Sequence, residues 1–326
     1  MLGVYSRLAV VTMEEAAVWL DGRYYLQGED QLDCNWLMMR SDEEETPDWQ
    51  EWLRNRLAPN TSAGSDPSLT GASTWLTWKA ELLKGQVELV SVLDNLVDRV
   101  WEGKGDQQGV PGAVEVQELK YAGKSWQDKV LELLEELKMK EANGMVVTAL
   151  DEIAWLFNLR GSDIPHSPVF QSYSFVSLAP EPQITLYTNK TRLSPIVLAH
   201  LASINCKGGP RCVQLKEYTT LLSDLEQDKS EGKILLGKPW AYTGGASYAV
   251  FSAVPEERRL VDLSPIMLAK SQKNEVEVRG MEEANIKDAV AVVGLLAELE
   301  AGMAANERWE SSSSFKDIVK LTGGTS

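Results

Sequence analysis

The side chains able to do chemistry are sparse in this sequence. Two histidines occur, His166 between prolines in "IPHSPV" and His200 in the apolar run "SPIVLAHLAS". Neither stands in an H-x-x-x-H or H-E-x-x-H spacing, so no pair of imidazoles converges on one helix face as a metal ligand set needs. Both read as structural or surface residues. Cys206 and Cys212 in "CKGGPRC" have no histidine partners, and they read as reduced thiols rather than half of a zinc site. No G-x-S-x-G nucleophile turn and no Lys-Ser/Thr-ended phosphate loop occurs. Asp151 and Glu152 form an acid–base pair only if their surroundings split their pKa values, and a helix cap explains Asp151 more simply. The polar turn after them, "NLRGSD", offers Asn158, Arg160 and Asp163, with Arg160 and Asp163 expected to pair locally and Gly161 to permit a sharp bend. These residues make no active site by themselves: no catalytic residue and no metal ligand is assigned.

Composition narrows the classes further. Thirty-two basic residues against 48 acidic ones leave a net charge of −16 over 326 residues. Such a surface repels nucleic acid and anionic membranes, which are bound through clustered Lys and Arg. No apolar run approaches the roughly 20 residues that span a bilayer, and the amino terminus lacks a signal-peptide pattern. Three cysteines build no disulfide framework, which points to a reducing, cytoplasmic setting. The sequons at Asn60 and Asn189 are then chance matches.

The elements that must position any site alternate between strand and helix. "LAVVT" and "AAVWL" form an opening hairpin, and "NWLMMR" a further strand. "TPDWQEWLRNRL" starts a helix, with Thr46 as N-cap and Pro47 in the first turn. "APNTSAGSDPSLTG" reads as a loop, followed by a helix near 73–84 and the strand "VELVSV". The glycine-rich stretch 102–113 is a linker. Beyond it, Ser125 caps a helix whose Trp126, Val130, Leu133, Leu134 and Leu137 share one face, ended by Asn143-Gly144. "MVVTAL" is a buried strand, and Asp151 caps the short helix "EIAWLFN". A hairpin through "FQSYSFVSL" and "ITLYT" follows, then helices from Ser194 and over 218–228, and the strand "KILLG". From 280 to 302 runs a long helix whose apolar face, including Ile286, Val290, Val293 and Leu296, is too wide for a one-sided contact. The fold class is therefore α/β, with mixed sheets flanked by helices.

At this point a resemblance can be stated. "VVTALDEIAWLFNLRGSDIPHSPVFQSY" resembles the matching segment of cytosolic aminopeptidase P, the Xaa-Pro aminopeptidase of the creatinase and prolidase superfamily. "AVWLDGRYYLQGEDQLDCNW", "NLVDRVW", "YAGKSWQDKV", "ASYAV" and "SPIMLAKSQKNEVEVRGMEEANIKDAVAV" agree in the same order, covering residues 9 to 300. The resemblance implies a truncated creatinase-like domain over 1–101, the linker 102–113, and a second creatinase-like domain over 114–272. Over 273–326 it implies the first helix of a truncated pita-bread domain with a divergent tail. In the family that third domain binds two divalent metal ions, usually manganese, and a metal-bridging hydroxide releases an N-terminal residue that precedes proline. The implied partners are proline-containing peptides, with a homodimer or association with a full-length homologue as further possibilities. This chain holds no cofactor of its own by that reading and is inactive alone. The competing reading is a pseudo-enzyme or regulatory binding module. Asn158, Arg160 and Asp163 are the substrate-cleft candidates.

Overall fold

The computed structural model describes residues 8–102, 112–178, 181–240 and 243–304. The chain divides into two compact units, residues 1–106 with 239–252, and residues 107–238 with 253–326. Residues 239–252, which the sequence reading runs through the second domain, thus pack with the first unit. Backbone bonds from Ala72 to Ala246 and from Tyr248 to Thr70 tie them there, and the rings of Trp75 and Tyr248 stack at 4.6 Å.

In the first unit, β1 (Leu8–Val11) and β2 (Ala16–Leu20) form the expected hairpin, and β2 pairs in parallel with β3 (Trp36–Arg40). α1 (Tyr25–Gln31) links β2 to β3. α2 (Trp49–Arg54) starts later than Thr46 and Pro47 predict, with Asp48 in the N-cap position. The segment read as a loop contains β4 (Thr61–Ser65), parallel to β5 (Val87–Ser91). Its "TSAGS" lacks the β-branched and aromatic density by which strands announce themselves. α3 (Ala72–Leu83) lies between them in sequence, α4 (Leu96–Glu102) follows, and α10 (Tyr248–Ala253) comes late in the chain. Trp19, Trp52, Trp75, Leu82 and Val87 make the core.

The second unit is built on a six-stranded mixed sheet of order β11-β10-β9-β7-β12-β13. Its strands are β7 (Ala142–Val147), β9 (Tyr173–Ser177), β10 (Gln183–Tyr187), β11 (Gln214–Lys216), β12 (Lys233–Gly237) and β13 (Arg259–Asp262). β7 lies inside the sheet and is buried along almost its whole length, which explains its continuous apolar run. Asn143 and Gly144 sit inside it; the turn that ends the preceding helix falls on Glu141, at φ 54°. A two-stranded ladder joins β6 (Glu115–Val116) to β8 (Leu159–Arg160). Around the sheet are α5 (Leu119–Ala122), α6 (Trp126–Met139), α7 (Leu150–Phe157), α8 (Pro195–His200), α9 (Leu221–Gln227) and α11 (Pro265–Ser271). α6 begins at Ser125, whose hydroxyl accepts from the Asp128 N–H, and its five-residue apolar stripe is buried throughout. α12 (Glu275–Ala304) is the long helix.

Two further assignments change. Cys206 and Cys212 form a disulfide across a Cα–Cα distance of 5.7 Å rather than a pair of free thiols. Asp151 does not cap α7, because Ala149 holds the N-cap position and the Asp151 carboxylate instead pairs with Lys270 at 2.6 Å. Among the described residues no helix is long and apolar enough to cross a membrane.

Candidate functional site

The turn that follows α7 sets a buried Asn158 against a buried Lys129. Asn158 takes a left-handed conformation, φ 52°, and ends the helix as its C-cap. Its carboxamide is buried: Oδ1 accepts from Lys129 Nζ at 2.8 Å, and Nδ2 donates to the Lys124 carbonyl at 2.9 Å. Lys129 Nζ also donates to the Trp155 carbonyl at 2.9 Å and lies over the Trp155 ring. Burial pushes its pKa down to about 8, with Glu277 acting in the opposite sense. A lysine on the core side of α6 is not expected from periodicity, and it escaped the sequence reading for that reason.

Arg160 lies two residues on, in β8. Its guanidinium donates to the carbonyls of Ala154 and Leu159, not to Asp163. Burial lowers its pKa, while Glu277 opposes the effect. Asp163 instead binds Arg192 through both carboxylate oxygens, one at 2.7 Å, and accepts the Gln171 N–H at 2.6 Å. Burial works to raise the Asp163 carboxyl, but Arg192 and the Gln171 N–H outweigh it and hold it below the usual range. Arg192 also donates twice to the Gly112 carbonyl. Gly161 is needed for space rather than for φ: a Cβ there would sit 2.5 Å from that of Phe170. The expected local Arg160–Asp163 pair is therefore replaced by two separate arrangements, one facing a groove and one pinning the turn to the chain near Arg192.

The groove, of about 690 Å³, lies between α5, the end of α7 and the first turns of α12. Lys120, Arg160, Lys270, Lys273 and Arg279 line it against Glu277 and Glu283, with Tyr121 and Trp155 as its aromatic wall. In a chain of net charge −16 this is a local excess of cations. Lys120 is neutralised by Glu118 at 2.9 Å and Lys270 by Asp151. Arg279 has no ion-pair partner among the described residues. Glu277 organises the wall: Oε1 accepts from Trp155 Nε1 at 3.0 Å, and Oε2 accepts from the Asn274 N–H at 3.0 Å. Asn274 Oδ1 accepts in turn from the N–H groups of Val276 and Glu277. This is a reciprocal capping box. Its signature "NEVE" stands in the sequence and could have placed the start of α12 at Glu275. Asn274 Nδ2 reaches the Ala122 carbonyl at 2.9 Å, beside Gly123, whose φ of +68° and lack of a Cβ admit the contact.

Such a groove can hold a carboxylate or another anionic group by charge-assisted hydrogen bonds. It contains no nucleophile paired with a base. His200 donates Nε2–H to the Phe157 carbonyl and serves packing. Among the described residues no three His, Cys, Asp or Glu side chains converge well enough to share a metal ion, so the described residues do not fit a dinuclear centre.

A family model for the creatinase/prolidase N-terminal domain matches residues 109–277. The chain belongs to that family. Family membership covers the mixed sheet, the turn with Asn158, Arg160 and Asp163, and the start of α12. Among similar proteins, a probable Xaa-Pro aminopeptidase P of Aspergillus niger is 36% identical over 296 residues, 90% of this chain and 46% of its own length. The human Xaa-Pro aminopeptidase 2 is 36% identical over 295 residues, again 90% of this chain and 42% of its own. The crystal structure of an X-prolyl aminopeptidase from Caenorhabditis elegans, a cytosolic enzyme with a di-nuclear active site, superposes with a TM-score of 0.83 at 29% identity. It covers 97% of this chain and 50% of that one. The resemblance to aminopeptidase P and the α/β fold class both hold. The chain spans about half the length of the relatives it matches.

Proposed function

We propose that this chain is the non-catalytic portion of an Xaa-Pro aminopeptidase, folding as α/β units and without peptidase activity alone. The observation that carries the reading is identity of 36–38% to Xaa-Pro aminopeptidases over 90% of the chain but 42–46% of theirs. A di-nuclear site is a property of the C. elegans relative. Manganese is our expectation for the metal, and its ligands are sought outside these 326 residues. In this reading 1–101 and 114–272, apart from residues 239–252 that pack with the first unit, act as two domains, joined by 102–113, and 273–326 opens the catalytic domain. Arg160 is the residue we place near a bound peptide, because it lines the groove. Asn158 and Asp163 hold the turn that presents it. The experiment is to incubate purified chain with manganese(II) and Arg-Pro-Pro and follow release of arginine. No release is expected; proline-dependent release proportional to the amount of chain overturns the reading.

A second reading has an observation of its own. Ile286, Val290, Val293 and Leu296 of α12 are all more than half exposed, a stripe suited to another polypeptide. The chain would then act as a binding module for a full-length homologue or as a homodimer, and co-expression with such a homologue followed by size-exclusion chromatography tests it. A cytoplasmic location is our extension from the C. elegans enzyme. The Cys206–Cys212 disulfide favours an oxidising compartment instead, and thiol labelling of source extracts decides between them.

A further inference from the structure

Residues 201–213 join α8 to β11 and carry the Cys206–Cys212 bridge. The two cysteines stand six positions apart and tie no element to another. Both are half-buried and lie outside the core. Their surroundings are cationic in an acidic chain: from Pro182 to Lys216 there are five Lys and Arg and no Asp or Glu. Lys190, Arg192 and Lys216 pair with Glu217, Asp163 and Asp224. Lys207 and Arg211, each next to a bridging cysteine, are exposed and enter no ion pair among the described residues. The backbone here is bent against its own preferences. Ala202 and Asn205 lie at φ 48° and 61°, a region that residues with a Cβ enter at a cost, and Gly208 and Gly209 follow at φ 112° and 103°. Outside the bridge the loop is held by few bonds, among them Gly209 N–H to the Pro182 carbonyl at 2.8 Å and Val213 N–H to the Leu201 carbonyl at 3.1 Å.

We propose that Cys206 and Cys212 are a reversible thiol–disulfide site for an anionic low-molecular-weight thiol of the glutathione class, and that the bridge sets the order of residues 203–213. Three arguments separate this from an inert structural bridge. A bridge across so short a loop restricts the unfolded chain less than one closing a long loop, so the fold does not depend on it. Half-buried sulfurs are open to attack by a small thiolate. Cations beside both sulfurs favour the attacking thiolate and draw in a negatively charged reagent, against the repulsion of a chain of net charge −16.

Closure proceeds by two exchanges. The thiolate of one cysteine attacks a sulfur of glutathione disulfide, whose S–S bond breaks and releases one glutathione thiolate. The second cysteine's thiolate then attacks the protein sulfur of the mixed disulfide, forming the Cys206–Cys212 bond and expelling the other glutathione. The two protons lost by the cysteines go to the departing thiolates. The chain's dithiol loses two electrons and glutathione disulfide gains them; opening is the reverse. Cys34, exposed in the first unit beside Asp33, is the internal control. It can form the mixed disulfide but has no second cysteine to resolve it.

The test holds the full chain in glutathione buffers of stepped ratio and counts the bridge by alkylation and peptide mass spectrometry. It should be at least half open in about 10 mM reduced glutathione with about 0.1 mM of the disulfide, where a structural bridge stays closed in about 99% of molecules. It should close when glutathione disulfide is in excess. The ratio of closure rates with glutathione disulfide and with cystamine, its cationic counterpart, should fall about threefold or more when Lys207→Gln and Arg211→Gln are combined. Loss of thiolate character slows both reagents alike, so the ratio isolates the attraction. On opening, hydrogen exchange at 203–213 should quicken by about tenfold or more while β7 stays protected. Cys206→Ser with Cys212→Ser should show the fast rate in every buffer, with β7 again reporting that the chain is folded. A bridge that stays closed throughout is structural, and one that never closes is a pair of ordinary thiols; either overturns the proposal. An unchanged rate ratio, or equal exchange of 203–213 in both states, overturns it as well.

Discussion

Nζ of Lys129 lies 2.8 Å from Oδ1 of Asn158, with the ring of Trp155 4.0 Å away, and this buried contact closes the carboxyl end of α7. An ammonium group with so little water is stabilised by carbonyl oxygens and an aromatic face in place of hydration. The arrangement fixes Asn158 in its left-handed turn, and so sets where Arg160 emerges.

Titration of Lys129 should be visible in stability. Its pKa falls from the ordinary 10.5 to about 8 in the folded chain. Between those values the unfolded chain binds a proton that the folded chain does not, so stability rises with pH across that window. Below pH 8 both states are charged and the folded state bears the full burial cost. The expected gain from pH 8 to 10.5 is between about 1 and 3 kcal/mol, measured by urea unfolding at a series of pH values. Lys129→Met should abolish the slope; an unchanged slope in the variant would assign it to another group.

Glu152 is the opposite case. It is buried at the start of α7, accepts from the Ser264 hydroxyl at 2.7 Å, and burial raises its pKa to about 6. The folded chain then holds a proton longer than the unfolded one, so its contribution is present below pH 4.5 and lost as pH rises through 6. Glu152→Gln keeps an oxygen for Ser264 without the charge. It should stabilise the second unit by about 1–2 kcal/mol at pH 7 and by nothing at pH 4.

Arg192 and Asp163 form a pair in which both side chains are at least 86% buried. Removing one partner leaves the other charge stranded in that site, which typically costs about 3–5 kcal/mol. Arg192→Met should approach that cost and should also flatten the acid limb of the stability curve. The reason is that Asp163, held below its usual pKa by Arg192, contributes stability that disappears as pH falls through its folded value. In a double-mutant cycle Arg192→Met and Asp163→Asn should couple by more than about 1 kcal/mol; simple additivity would count against the pair.

What the sequence disclosed follows from which interactions are local. The α6 stripe from Trp126 to Leu137 and the Ser125 cap are set within a few residues, and both appear where periodicity and capping place them. The hairpin of β1 and β2 and the strand β7 were legible for the same reason. The partners of Asp163 and Asp151 were not: Arg192 is 29 positions away and Lys270 is 119, and no spacing rule spans such gaps. β4 was hidden because pairing with β5, not its own residue types, makes "TSAGS" a strand. The groove was half legible. Arg160 was singled out from the turn, but the cations of α5, α11 and α12 converge on it only through tertiary packing.

Two buried indoles offer a matched comparison. Trp126 donates Nε1–H to the His200 carbonyl at 2.8 Å, whereas Trp52 Nε1 is buried with no hydrogen-bond partner among the described residues. Both rings are 1% exposed, so replacement by phenylalanine removes similar apolar contact in each. Trp126→Phe also forfeits a hydrogen bond, while Trp52→Phe removes an N–H that already bears its desolvation cost. Trp52 retains one compensation that phenylalanine keeps only in part, the Arg56 guanidinium 4.0 Å above its ring. Denaturant unfolding of the two variants should show Trp52→Phe less costly by about 1–2 kcal/mol. An equal or greater cost at Trp52 would mean that its N–H is satisfied by water reaching the first unit's core.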